Sequence, residues 1–157
     1  ELLLAAAKQD NDEILEEIFS QPGSYEINYT DSIGNTALHY AAQFGSLTAI
    51  RLLLEQENIK VNSQNRLEGD TPLHKAVQYT DDPSVAFAVV ETLLDAGADP
   101  RILNKNKQRP VQLVDTGNEE LKNLLRQAAA SFEIDASELA QDDDSDDGEP
   151  ASDVSSD

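Results

Sequence analysis

GNTALHYAAQFG at residues 34–45 and GDTPLHKAVQYT at residues 69–80 are two versions of one phrase, with their leading glycines 35 residues apart. Each is followed by an aliphatic run, AIRLLLEQ (49–56) in the first case and VVETLLDAGADP (89–100) in the second. In the first copy Leu38, Ala41 and Ala42 form an apolar stripe at helical spacing. Ala49, Ile50, Leu53 and Leu54 form another, with Gly45 breaking the chain between them. The unit is therefore two short helices. Helices of that length are marginal alone in water. Stacking solves the problem, because each unit's stripe is buried by its neighbours, and about three or more units are needed. The small residues Ala41, Ala42 and Ala76 let paired helices approach closely, and Gly34 and Gly69 sit where a tight turn wants positive φ.

Weaker copies flank the two strong ones. LLLAAAKQDNDEILEEIF (2–19) aligns Ala6 and Ala7 with the double alanine, and Ile14, Leu15, Ile18 and Phe19 with the second helix. NKNKQRPVQLVDTGNEELKNLLRQA (104–128) keeps Pro110, Val111, Leu113, Leu124 and Leu125, but has Lys107 at the turn glycine and Arg109 at the threonine. The T-P-L-H-x-A phrase, the following glycine and the L-L-x-x-G-A-D ending resemble the ankyrin-repeat pattern. The resemblance covers about residues 2–128 and implies an all-α solenoid of helix-turn-helix repeats joined by β-turn or hairpin connections. The outer copies read as degraded capping repeats. The spacing also carries an irregularity. Thr36 to Leu53 is 17 residues, whereas Thr71 to Leu93 is 22, which places five extra residues in TDDPS (80–84) between the helices of the second full repeat. There Pro83 must stop one helix or start the next. The extra length reads either as a tolerated surface loop or as a partner contact.

The chain has 157 residues and a net charge of -20. Residues 131–157 hold 11 acidic residues and no basic one, leaving 20 acidic against 11 basic in residues 1–130. The division expected is a repeat domain over 1–130 and an acidic, mostly disordered tail over 131–157. Its natural partners are basic, and duplex nucleic acid and anionic membranes are repelled. The absence of cysteine excludes disulfides, thiolate metal sites and a cysteine nucleophile, and is compatible with the cytoplasm or nucleus. No apolar run approaches the roughly 18 residues that span a bilayer. The chain opens on Glu1 rather than Met, so a longer natural N-terminus is expected.

No phosphate-binding glycine loop, G-x-S-x-G elbow or H-E-x-x-H occurs, so the chain reads as a non-enzyme without cofactor or metal. The two histidines, His39 and His74, share one slot of the repeat. The resemblance implies a structural role, bonding Thr36 and Thr71 of their own repeats and backbone near the repeat junction. The acidic run DDDSDDGEP (142–150) brushes a calcium-loop pattern from Asp143, but its twelfth position falls on Val154 rather than glutamate. Ser145, among aspartates, weakly suits an acid-directed kinase. SFEIDASELA (131–140) offers Phe132, Ile134 and Leu139 as anchors that either pack on the last repeat or dock a partner, and Asp135 with Glu138 resembles a helix cap.

By resemblance, partners are held on the concave face of turn tips and first helices. That face would comprise Ser32, Ile33, Asn35, Gln43 and Phe44 in one repeat, and Leu67, Glu68, Asp70, Gln78 and Tyr79 in the next. Against the overall charge, Arg101, Lys105, Lys107 and Arg109 form a basic turn, open to an acidic motif, to nucleic acid or to the chain's own acidic tail. It lacks the interleaved aromatic that single-strand stacking uses, which disfavours nucleic acid. The function expected is an escort that shields a basic client, such as a ribosomal protein or a histone, from a chain monomeric on its own. In plan, with few repeats and an acidic C-terminal region, it is loosely similar to small fungal ankyrin chaperones of ribosomal proteins. A regulatory adaptor for a signalling or transcription factor is the alternative.

Overall fold

The computed structural model describes residues 2–143, with side chains described as far as Ile134. Three antiparallel helix pairs follow one another: α1 (Leu2–Lys8) with α2 (Asp12–Phe19), α3 (Ala37–Gln43) with α4 (Leu47–Leu54), and α5 (Pro72–Val77) with α6 (Pro83–Asp95). A single 3-10 turn (Pro110–Leu113) and the long helix α7 (Glu119–Asp143) complete the order. No strand occurs among the described residues. Two layers result. The first helices stack as α1, α3, α5 and the 3-10 turn, and the second helices stack as α2, α4, α6 and α7. This is the all-helical repeat solenoid that the sequence pattern implies.

The core is the apolar stripe of each repeat. Ala6, Ala7, Leu38, Ala41, Ala42, Leu73 and Ala76 are buried between the layers, together with Leu15, Ile50, Leu53, Val90, Leu93, Leu121 and Leu125. Burying a leucine or isoleucine fully contributes about 1.5–3 kcal/mol, which is what makes helices of six to eight residues persist.

Each strong repeat is started by one repeated device. Thr36 caps α3, with its hydroxyl oxygen accepting from the His39 backbone N–H at 3.2 Å, while the Thr36 N–H donates to His39 Nδ1 at 3.1 Å. The imidazole thus closes a capping box in the place of the usual glutamate. Because a backbone N–H can only donate, Nδ1 is the acceptor, and Nε2 carries the proton it gives to the Asp70 carbonyl at 2.8 Å. His74 repeats the pattern with Thr71 and the Gln108 carbonyl at 2.9 Å. The expected structural role is present, and each ring also staples its repeat to the next.

Three features differ from the expectation. The five extra residues of the second repeat add more helix than loop. Asp82 caps α6 through the N–H groups of Ser84 and Val85, Pro83 is its first residue, and α6 has 13 residues against eight in α4. Ala86 in the added turn is buried, which holds it down. The degraded C-terminal repeat keeps only a 3-10 turn for its first helix. Finally, α7 passes through the expected boundary at Ala130 and reaches Asp143. Asp135 therefore lies inside a helix and does not cap one; the cap is Asn118, whose side chain accepts from the Leu121 N–H at 3.1 Å.

Candidate protein-binding face

The turn tips are built by one side chain per repeat. Asp31 accepts the N–H groups of Ile33 and Asn35, Asn65 those of Glu68 and Asp70, and Asn104 those of Asn106 and Gln108. Each asparagine also reaches back one repeat, Asn65 Nδ2 to Asn35 Oδ1 at 2.9 Å and Asn104 Nδ2 to Asp70 Oδ1 at 3.0 Å. A second ladder runs along the base of the loops. Asn28 bridges the Asn58 carbonyl and the Lys60 N–H, and Asn62 bridges the Gly97 carbonyl and the Asp99 N–H. Backbone joins adjacent tips directly, with Arg66 N–H on the Ile33 carbonyl at 2.8 Å and Lys105 N–H on the Glu68 carbonyl at 2.9 Å. The left-handed turn position is Gly34 (φ 88°), Gly69 (φ 72°) and then Lys107 (φ 61°), as the alignment of Lys107 with the turn glycine anticipates.

This frame sorts the expected face residues into two groups. Asn35 and Asp70 are not on the surface: they are 2% and 3% exposed and belong to the asparagine ladder. Their side chains hold the next tip, so they are scaffold. Ser32, Ile33, Gln43, Phe44, Leu67, Glu68 and Gln78 are exposed, and Tyr79 is half-buried against Gly45. Of these, Leu67 (60%) and Phe44 (48%) are the most exposed apolar side chains of the face. Phe44 and Tyr79 occupy equivalent positions just after α3 and α5, while Ile33 and Leu67 crown adjacent tips. The face is thus an apolar rim above and below two glutamines.

Its charges are largely spent internally. The buried Lys75 ammonium lies 2.6 Å from Glu68 and 3.7 Å from Asp70, and its hydrogen bond holds the Glu68 carboxyl below the usual range. Tyr40 donates its hydroxyl to Asp31 and carries the Lys8 ammonium 4.3 Å from its ring centroid. Burial would raise the Asp31 carboxyl, but that hydrogen bond and the N–H groups of Asn35 and Ile33 lower it overall. Burial pushes both imidazoles below their ordinary value, against their bonds to the Asp70 and Gln108 carbonyls.

The basic turn is a separate patch. Arg101 is paired with Asp99 through Nε (3.0 Å) and Nη2 (2.9 Å), which lowers the Asp99 carboxyl, and its guanidinium carbon lies 5.1 Å from the Phe132 ring centroid. Arg109 Nη2 is 3.6 Å from Glu133. The Lys105 ammonium donates to the Arg66 carbonyl, and Lys107 is exposed. Of the anchors expected in 131–140, Phe132 is half-buried and Ile134 exposed, while Leu139 lies outside the side chains described. The calcium-like register and Ser145 lie outside them too. Among the described residues no group of carboxylates and imidazoles is placed to hold a metal ion.

A family model for ankyrin repeats in three copies matches residues 2–104. The chain belongs to the ankyrin-repeat family. It is 37% identical over 144 residues to an ankyrin repeat-containing protein of Saccharomyces cerevisiae, covering 85% of this chain and 79% of that one. It is 33% identical to a putative ankyrin repeat protein of Escherichia coli and 32% identical to human NF-kappa-B inhibitor delta, each over 69% of this chain. The chain spans about half of the bacterial relative and about a third of the human one. An ankyrin-repeat chain is a protein–protein interaction module, and the exposed rim is where this one has side chains to spare. No helix among the described residues is long and apolar enough to cross a membrane.

The sequence reading missed the ladder residues Asn65 and Asn104, and it raised cover of the basic turn by the acidic tail without singling out Glu133 as the partner of Arg109. The ladder left a trace, since Asp31, Asn65 and Asn104 each stand three or four residues before the left-handed turn position. The trace of the pairing was only the opposite charge of the turn and the C-terminal segment.

Proposed function

We propose that this chain is a non-catalytic escort that binds and shields a basic client protein, of the ribosomal-protein or histone kind, in the cytoplasm or nucleus. The concave rim supplies specificity and the acidic C-terminal residues supply charge. The observation that carries the reading is a division of labour. Ile33, Phe44 and Leu67 are exposed on a face whose carboxylates Asp31 and Glu68 are already engaged by Tyr40 and Lys75. The 11 acidic residues of 131–157, by contrast, are matched by no basic residue in that segment. Attraction of a basic client then falls to the C-terminal acids, which act over about a Debye length, and retention falls to the rim.

The likeness to an NF-kappa-B inhibitor favours a second reading, a regulatory adaptor that holds a signalling or transcription factor. One experiment separates the two. The full chain and a variant with Asp142, Asp143, Asp144, Asp146, Asp147 and Glu149 changed to their amides are used to capture proteins from a cell extract at low and high salt. The escort reading expects one basic protein, retained less by the amide variant. Equal retention by both chains, or an acidic partner, moves the weight to the adaptor.

A further inference from the structure

The basic turn is already touched by a piece of its own chain, and the manner of the contact describes a ligand. Asp99 grips Arg101 along one edge through two nitrogens and leaves the flat face of the guanidinium open. Phe132 lies over that guanidinium at 5.1 Å, and the next residue, Glu133, approaches Arg109 at 3.6 Å. Aromatic ring on one cation, carboxylate on the next: two consecutive side chains are read by two arginines. We propose that the turn Arg101–Arg109 is a second docking site, selective for an acidic segment carrying an aromatic side chain, and that Phe132 and Glu133 of α7 fill it in cis.

The occupancy is partial and exchangeable. The Glu133 side chain is 57% exposed and that of Arg109 39%, so their attraction is screened by water and salt. Lys105 and Lys107 make no ion pair with any carboxylate among the described residues. Lys107 is held out at the tip by its left-handed backbone. Among the described residues the turn therefore offers more cations than its cis segment answers, and a more acidic segment in trans has something to gain. A fully formed Arg101–Asp99 pair at its start and backbone bonds from Lys105 and Lys107 keep the site in shape whether or not α7 covers it. This site adjoins the concave rim, since Lys105 bonds the Glu68 and Arg66 carbonyls of the neighbouring tip, but its cations suit the opposite charge of ligand.

The test uses the full chain and a fluorescent peptide of the sequence AAASFEIDASELA, that of residues 128–140, read by anisotropy at low salt. The double substitution F132A/E133Q removes the cis occupant, and peptide affinity is expected to rise about tenfold over the unaltered chain, as two exposed contacts of this kind allow. Adding K105A, K107A and R109A should remove the gain, with thermal melts checking that each variant is folded. A peptide with its Phe and Glu changed to Ala and Gln tests the same point without touching the fold, and should bind several-fold more weakly. Unchanged affinity on F132A/E133Q, or equal binding of the altered peptide, overturns the proposal. So does a single-stranded RNA oligonucleotide that gains more than the peptide does, which would make the turn a nucleic-acid site.

Discussion

The two imidazoles make stability depend on pH. His39 and His74 are each neutral as bonded, with Nδ1 accepting from a threonine N–H and Nε2 donating to a carbonyl of the next repeat. Protonating Nδ1 would turn it against that N–H donor and put a charge in a buried site. Burial accordingly holds both groups below their ordinary value of about 6.5. As pH falls past 6.5 the unfolded chain takes up protons that the folded chain refuses. The stability is thus complete above that pH and is lost as pH falls towards the folded values. Each histidine contributes a slope of at most about 1.4 kcal/mol per pH unit, so the pair is bounded by about 2.7. On a domain of this size each kcal/mol moves Tm by roughly 2–8 °C.

Asp31, Glu68 and Asp99 do not blur the test. Their ordinary values lie near 4, and Asp31, Glu68 and Asp99 are lowered further, so their losses begin below about pH 4.5. Urea unfolding followed by circular dichroism at pH 7.5, 6.5 and 5.5, at one ionic strength, is the measurement. The expected result is little change across the first step and a clear loss across the second. A variant carrying His39→Gln and His74→Gln should be less stable at pH 7.5 and nearly flat in pH. A chain as stable at pH 5.5 as at 6.5, or a double variant that keeps the slope, would refute the assignment of both rings as neutral staples.

Three other substitutions probe the frame and the face. Lys107→Gly removes a side chain from a left-handed residue and should stabilise by about 0.5–1 kcal/mol in the same urea assay. Gly34→Ala should cost about 2 kcal/mol or more, since φ is 88° and the new Cβ would clash with the Arg66 backbone nitrogen that donates to Ile33; an unshifted melt contradicts the tip geometry. Leu67→Ser should leave unfolding within about 0.5 kcal/mol yet weaken a captured partner by about tenfold or more, measured by calorimetry.

The repeat was readable because its physics is local. A threonine three residues before a histidine, paired alanines and a positive-φ turn each follow from short-range rules, and copying them 35 residues on leaves a visible period. That is why Lys107 could be placed at a glycine position from alignment alone. The extra residues at 80–84 were located but misjudged in form. Asp82 followed by Pro83 is a helix start as well as a loop, and what decides between them is the burial of Ala86, a tertiary fact. Asn35 and Asp70 were misplaced for a similar reason. A polar residue at a turn tip reads as surface, and only the asparagine of the next repeat turns it inward. Beyond Ala130, α7 brings Phe132 and Glu133 to the basic turn across some 24 to 31 residues of chain, and no periodicity records such a meeting.

The ladders bear on function through what they leave free. Caps, asparagines and tip-to-tip backbone bonds satisfy the frame with residues that point along the stack. Ile33, Phe44 and Leu67 are consequently needed by no hydrogen bond of their own side chains and by little of the core. Such positions can change with the partner at small cost to folding, whereas Asn65 or Asn104 cannot change without loosening two repeats at once. On the proposed reading, affinity and stability are therefore carried by different residues in this chain. A surface substitution that damages both together would mean that the rim is part of the frame, and that the partner is held elsewhere.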